Sequence, residues 1–306
     1  MCGIFGCLLR NGENMNIRKI IMKSLNLLKN RGYDSCGVYL NNILNEDLLI
    51  KYGIDGEYIK DKVDKDIFKM VENNLLDNNY HIGIGHTRWA THGCKTDENS
   101  HPHQSNNGKI TIVHNGIISN YDELKKKYLS EYIFKSNTDT EVIVNLIEYF
   151  VKLNPEMKFL NILEKVEKEL EGTWAILIYN IEENNKLYFM KNENPLLLGK
   201  CENMIMMTSE PSGFLNKVDD YILLRDKTIG YLINGNDFYI NNHFTTIPLI
   251  KNNENDLTLN NNYKHWMRKE IDEQIELKVL IDPLTFQNRY ENNNVLFDLE
   301  FIKGYK

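Results

Sequence analysis

A cysteine directly after the initiator methionine, in Met1-Cys2-Gly3-Ile4-Phe5-Gly6-Cys7, can combine a nucleophile and its base in one residue. Its side chain is small enough for Met1 to be trimmed, which would leave the Cys2 thiol beside a free α-amine, as in nucleophiles at chain starts. That amine titrates near pH ~7.7–8.0, so a useful fraction is unprotonated at neutral pH. The same stretch, through Leu9, also reads as a buried strand, because Ile4, Phe5, Leu8 and Leu9 are apolar and free Cys packs as a small hydrophobe. A thiol attacking a carboxamide needs donors aimed at the developing oxyanion, and Asn115-Gly116 sets a side-chain amide beside a glycine N–H. An amino-acid substrate needs a cation for its α-carboxylate, for which the planar fork of Arg88 is suited, and a carboxylate for its α-ammonium, for which Asp139 is available. Taken singly, each has an ordinary reading: Asn-Gly as a turn, Arg88 as an ion-paired surface arginine, Asp139 as a helix cap.

The elements that must position these groups follow from hydrophobic periodicity. Residues 2–9 read as a strand. The spacing of Ile17, Ile20, Ile21, Leu25 and Leu28 predicts an amphipathic helix over Asn16–Lys29. Arg31-Gly32-Tyr33-Asp34-Ser35-Cys36-Gly37 is a glycine-punctuated turn leading into a strand at Val38. Residues 58–77 read as a second helix, and 82–88 and 110–114 as strands. Thr91–Gly108 between them is an irregular stretch rich in His, Asn, Gly and Ser, and a loop of that length in a compact domain is usually functional. Helices are expected near 139–153 and 158–170, the first entered through the capping sequence Thr138-Asp139-Thr140-Glu141. Short strands are expected at 173–180, 186–190, 196–198, 204–208, 220–224 and 229–233, with a closing hairpin at Asn234-Gly235-Asn236. Two batches of strands flanked by helices predict layered α+β packing rather than a parallel βαβ sheet. Residues 251–262 read as a polar linker, and Lys264–Ile281 carries a helical stripe.

Composition excludes several classes. The net charge of -7, without a basic stripe, argues against nucleic-acid binding. No apolar run reaches ~18 residues, so no membrane span is expected. Cys2, Cys7, Cys36, Cys94 and Cys201 are odd in number and lack a CxxC pair, which fits a reducing, cytoplasmic setting better than a disulfide framework. Six of the eight histidines fall between His81 and His114, yet their spacing matches no common zinc pattern, so neither metal nor cofactor is expected.

In order, Cys2-Gly3-Ile4-Phe5-Gly6, Arg31-Gly32-Tyr33-Asp34-Ser35, His86-Thr87-Arg88-Trp89-Ala90-Thr91-His92-Gly93, His101-Pro102-His103, His114-Asn115-Gly116 and Thr138-Asp139-Thr140-Glu141 make a specific series. With it the chain resembles the class II glutaminase domain of the glutamine–fructose-6-phosphate aminotransferase family over about residues 2–240. The resemblance implies an N-terminal-nucleophile hydrolase fold, a four-layer αββα sandwich. It also implies hydrolysis of L-glutamine to glutamate and ammonia through a thioester on Cys2. Asn115 and Gly116 would hold the oxyanion, Arg88 and Asp139 the substrate's carboxylate and amine, and Thr91, His92 and Gly93 a loop over glutamine. Trp89 would gate ammonia, and Arg31 would shield or organise the nucleophile. Cys36 departs from the small residue usual in the family. By the same resemblance, 2–250 is the glutaminase domain, 251–262 a linker and 263–306 the helical start of a sugar-isomerase half beyond Lys306. That half would bind fructose 6-phosphate, form a homodimer and serve hexosamine synthesis. Two other readings stay open: ammonia delivery to a different acceptor, and glutamine binding without turnover.

Overall fold

The computed structural model describes residues 2–13, 15–60, 65–76, 78–90, 94–241 and 249–252. All of them belong to one compact unit that ends at Asn253.

In chain order the first half runs β1 (Gly3–Leu9), α1 (Ile17–Leu27), β2 (Ser35–Asn42), β3 (Asp47–Gly53), α2 (Glu57–Lys60), α3 (Ile67–Asn74), β4 (Tyr80–Arg88), β5 (His103–Gln104) and β6 (Ile110–Ile118). Then come α4 (Tyr121–Tyr128), α5 (Asp139–Leu153) and α6 (Phe159–Glu169). The rest is β7 (Gly172–Asn180), β8 (Lys186–Asn192), β9 (Leu197–Lys200), β10 (Met204–Thr208), β11 (Asp220–Leu223), β12 (Thr228–Ile233), β13 (Asp237–Ile240) and β14 (Leu249–Lys251).

These strands form two sheets with only antiparallel pairings. One has the order β14-β11-β9-β10-β1-β4-β2-β3, the other β13-β12-β8-β7-β6-β5. The layers follow from side-chain alternation. On β1, Phe5, Cys7 and Leu9 point to a cluster shared with Ile17, Ile21 and Leu25 of α1 and Phe68 and Val71 of α3. Ile4 and Leu8 point the other way, to Ile82, Ile84, Val113, Leu177 and Phe189 between the sheets. The second sheet buries Ile112, Ile176 and Met190 under Ile143, Ile147, Ile162 and Leu163 of α5 and α6. Helix, sheet, sheet and helix make the four-layer αββα sandwich of the α+β class.

The expected helix over 58–77 differs from what forms. The described segments are α2 and α3, and Asp66 caps α3 by accepting from the Phe68 and Lys69 N–H groups. The first helix ends at Leu27 and tightens into a 3-10 turn over Leu28–Arg31. Four of these elements had no expectation: β3, α4, β14 and the two-residue β5, which pairs His103 with Ile112 inside the irregular stretch. Asn115-Gly116 is not a turn, because β6 continues through it to Ile118 and pairs with β7 throughout. Lys251 lies in β14, paired with Asp220, so the domain runs at least one residue beyond 250. The linker beyond Asn252 and the segment 263–306 lie outside the described residues.

Candidate active site

Strand parity places the chemistry. Along β1, Cys2, Ile4, Gly6 and Leu8 share the face between the sheets, so Cys2 sits at the mouth of that layer. On β4, His86 and Arg88 follow Ile82 and Ile84 on the same face, and His86 pairs in register with Ile4. On β6, Asn115 follows Val113 toward the same interior, while His114 faces α5. Three strands thus deliver Cys2, Arg88 and Asn115 to one end of the sandwich.

A cavity of about 330 Å³ opens there, lined by Cys2, Arg88, Trp89, Gly116, Asp139 and others. Its volume lies at the lower end of the ~300–1,000 Å³ usual for small-molecule sites. Cys2 is partly buried, and burial pushes its thiol up, while the Trp89 N–H, donating to Sγ at 3.3 Å, pulls it down. The Cys2 carbonyl accepts from Asn115 Nδ2 at 2.8 Å and from Arg31 Nε at 3.2 Å. Arg31 is also paired to Glu210 at 2.9 Å, so it grips the backbone of the nucleophile without lining the cavity. Gly3 is required beside it: a Cβ would lie 2.6 Å from Thr87 Oγ1 and 2.7 Å from Leu28 Cβ.

Arg88 is 8% exposed and donates to the Cys94 carbonyl at 3.3 Å. Burial weakens its hold on its proton, and Cys2, Asp34 and Asp139 around it strengthen that hold. Asp139 opens α5 one residue after its N-cap, where a carboxylate is favoured by the helix dipole. The cap is Thr138, whose hydroxyl accepts from the Glu141 N–H. Asp139 Oδ2 accepts the Ile118 N–H at 2.8 Å, which ties the helix start to the end of β6. Trp89 is 44% exposed and meets Tyr33 edge-on with centroids 5.4 Å apart. Thr91, His92 and Gly93 lie outside the described residues.

His86, His101 and His114 also line the cavity, and His103 packs against His101; each of the four is no more than 5% exposed. His86 stacks on His101 with centroids 4.1 Å apart. Burial holds all four below the ordinary histidine range, His86 at about 3, so they are neutral imidazoles. His101 Nδ1 accepts the His114 N–H, and His103 Nε2 meets Thr138 Oγ1 at 3.1 Å. His101-Pro102, expected as a turn, is a cis peptide whose neighbouring histidines are core residues.

Several contributors carried no sequence signal of their own. Asp34 accepts the Ala90 N–H at 2.9 Å and the Lys95 ammonium at 2.7 Å. Asn99 lines the cavity, accepts the Asn137 N–H at 3.0 Å and donates to the Cys94 carbonyl. Lys51 of β3 clamps that loop by donating to the Ser100 carbonyl at 2.7 Å and the Glu98 carbonyl at 3.3 Å, and burial lowers it to about 8. Asp34 was within a recognised cluster. Lys51, far away in sequence, could be found only through the pairing of β2 with β3.

Comparison with known proteins follows the same lines. A family described as a glutamine amidotransferase domain matches residues 86–216. A probable glutamine--fructose-6-phosphate aminotransferase [isomerizing] of Acanthamoeba polyphaga mimivirus is 36% identical over 281 residues, covering 90% of this chain and 44% of the relative. The Listeria innocua aminotransferase of the same name is 37% identical over 287 residues, 90% of this chain and 43% of its own length. This chain therefore spans less than half the length of the relatives it matches. Among solved structures, a glutamine phosphoribosylpyrophosphate amidotransferase from B. subtilis aligns with a TM-score of 0.62 at 21% identity, over 80% of this chain and 50% of that one. The allosteric regulatory enzyme of purine biosynthesis aligns with a TM-score of 0.64 at 22% identity and the same coverage. These two speak for the fold alone. Residues 86–216 thus match a glutamine amidotransferase domain family, in a chain that shares the fold of these two solved structures and resembles the glutamine--fructose-6-phosphate aminotransferases over the part of them that it spans.

Proposed function

We propose that this domain hydrolyses L-glutamine to glutamate and ammonia through Cys2. The observation that carries the reading is the shared cavity: a thiol, a buried arginine, a carboxylate at a helix start and Gly116 line it, and Asn115 Nδ2 donates to the carbonyl of the thiol-bearing residue. After removal of Met1, the Cys2 α-amine takes the thiol proton and Sγ attacks the glutamine amide carbon. The resulting oxyanion is held by the Gly116 N–H and an amide hydrogen of Asn115, which has two and uses one on the Cys2 carbonyl. Collapse breaks the C–N bond, the α-ammonium returns its proton to the leaving nitrogen, and ammonia departs. Water, deprotonated by the same amine, then attacks the γ-glutamyl thioester and releases glutamate and the thiol. Arg88 binds the substrate α-carboxylate and Asp139 the α-ammonium. Trp89 stands at the cavity edge, where it can restrict ammonia escape, and Thr91, His92 and Gly93 close over glutamine.

On this reading ammonia goes to fructose 6-phosphate on a sugar-isomerase half that begins with 263–306, after a linker that follows β14. The names of the relatives support that acceptor. Among the described residues no helix is long and apolar enough to cross a membrane. The test is glutamate release from glutamine by Cys2→Ala. The expected result is no turnover above background with glutamine binding retained, and undiminished release overturns the reading.

A further inference from the structure

A carboxamide has two ends of almost equal size and opposite chemistry, so an oxyanion donor works only while its nitrogen faces the nucleophile. Turned over, Asn115 would aim a lone pair at the developing negative charge. Something must therefore fix its orientation, and the surroundings of its oxygen show what does.

His86 Nε2 lies 3.0 Å from Asn115 Oδ1 and 3.1 Å from the His114 carbonyl oxygen. A carbonyl can only accept, so Nε2 must carry the ring's proton, and the Asn115 atom facing that N–H must be its oxygen. On the other side, Asn115 Nδ2 lies 2.8 Å from the Cys2 carbonyl, which accepts from it. Two independent demands agree on one orientation. We infer that His86 is a positioning residue: its Nε2–H, shared between Asn115 and the His114 carbonyl, locks the Asn115 amide with its nitrogen toward Cys2.

The ring is well placed for this. Its strand is paired on both sides, His86 opposite Ile4 and opposite Gly37, so its backbone cannot shift independently. Its face is covered by the His101 ring. His101 is itself fixed, because its Nδ1 accepts the His114 N–H at 3.3 Å. The donor thus holds the oxygen end of the Asn115 amide while the nitrogen end meets the Cys2 carbonyl. A neutral imidazole also supplies that donor without placing a second full charge beside Arg88. The inference rests on the glutaminase reading and deepens it, because it assigns to His86 the geometry on which the oxyanion site depends.

A double-mutant cycle on the Met1-processed chain tests it, with steady-state glutamate release as readout. Asn115→Ala is expected to lower kcat by about 10²–10³-fold, the usual cost of one oxyanion donor. His86→Leu should lower kcat by roughly ten-fold or more with KM within a few-fold, because Arg88 and Asp139 are untouched. His86→Gln, whose Nε2 can replace the donor, should restore most of that loss. In an Asn115→Ala background, His86→Leu should change kcat by less than about three-fold, since no amide remains to orient. An aldehyde analogue of glutamine, which forms a thiohemiacetal on Cys2, should lose affinity in step with kcat in His86→Leu. If His86→Leu does not fold, His86→Asn, too short to reach Asn115, takes its place with the same expectations. Additive losses in the cycle, or normal kcat in folded His86→Leu or His86→Asn, overturn the inference while leaving the glutaminase reading standing. A near-normal kcat for Asn115→Ala overturns the oxyanion reading itself, and the inference with it.

Discussion

Asp34 Oδ2 accepts the Ala90 N–H at 2.9 Å, one peptide beyond the Trp89 N–H that donates to Cys2 Sγ at 3.3 Å. Consecutive N–H groups thus serve an anchor and the nucleophile. Asp34 is itself fixed through its main chain, donating its N–H to the Arg88 carbonyl and accepting from the Ile54 N–H.

Release of that anchor should make the thiol harder to ionise. Asp34→Asn keeps the shape but loses the charge that binds Lys95 and the strong acceptor for Ala90. The Trp89 N–H lowers the Cys2 thiol against its burial, so loosening it raises the titration midpoint. Alkylation rate against pH, in a Cys94→Ser, Cys201→Ser background, should show an upward shift and several-fold slower reaction near pH 7. An unchanged profile removes Asp34 from the site's electrostatics.

Gly116 has φ +144, a region that L side chains rarely adopt, and a Cβ there would fall on the Thr173 carbonyl, 2.7 Å from His114 Nε2 and 2.8 Å from Asn194 Nδ2. Gly116→Ala should therefore cost on the order of 1–3 kcal/mol in urea unfolding. It should also abolish most glutamate release, because the peptide that carries the oxyanion N–H is forced to turn.

Acid should destabilise the domain before its carboxylates titrate. His86, His101, His103 and His114 have folded pKa values below the unfolded one near ~6.5. Such a group stabilises the fold fully above about pH 6.5, and the contribution falls as pH drops toward the folded value, about 3 for His86. Each buried histidine then adds up to ~1.4 kcal/mol per pH unit within that window. Urea denaturation at pH 7, 6 and 5 should show stability falling by at least about one histidine's share per unit. A flat profile would mean that these rings titrate in the fold as they do in the unfolded chain.

Methionine removal should switch activity on. While Met1 remains, the Cys2 nitrogen is an amide and no base. Separating processed from unprocessed chains by intact mass should put all glutamate release in the processed fraction, and full activity with Met1 attached would exclude the α-amine mechanism.

The sequence carried the layered class, the two long helices and nearly all later strands, because their apolar periods are clean. It pointed to the residues that the fold gathers around the cavity, because Cys2, Arg88, Asn115 and Asp139 lie in compact polar clusters at element ends. It misjudged where local chemistry and tertiary pairing disagree. Asn115-Gly116 has turn composition, yet the β7 ladder holds it extended. His101-Pro102-His103 has turn composition too, yet both rings are buried, His101 stacked on His86 and His103 edge-on to His101. The contribution of Lys51 was not legible, since a lysine in a strand looks solvated until the 97–100 loop is folded over it.

The position of β1 in its sheet sets a timetable for synthesis. Gly3–Leu8 pair with Thr87–Ile82 on one side, and Phe5–Leu9 with Thr208–Met204 on the other. The first strand made is therefore completed by one of the last. At about 5–20 residues per second, roughly 10–40 s separate its emergence from that of β10. Throughout that interval the amino end lacks one of its neighbours and stays within reach of a processing peptidase. The nucleophile can be uncovered while the chain is still growing, and it acquires its completed sheet only after some two hundred further residues have been added.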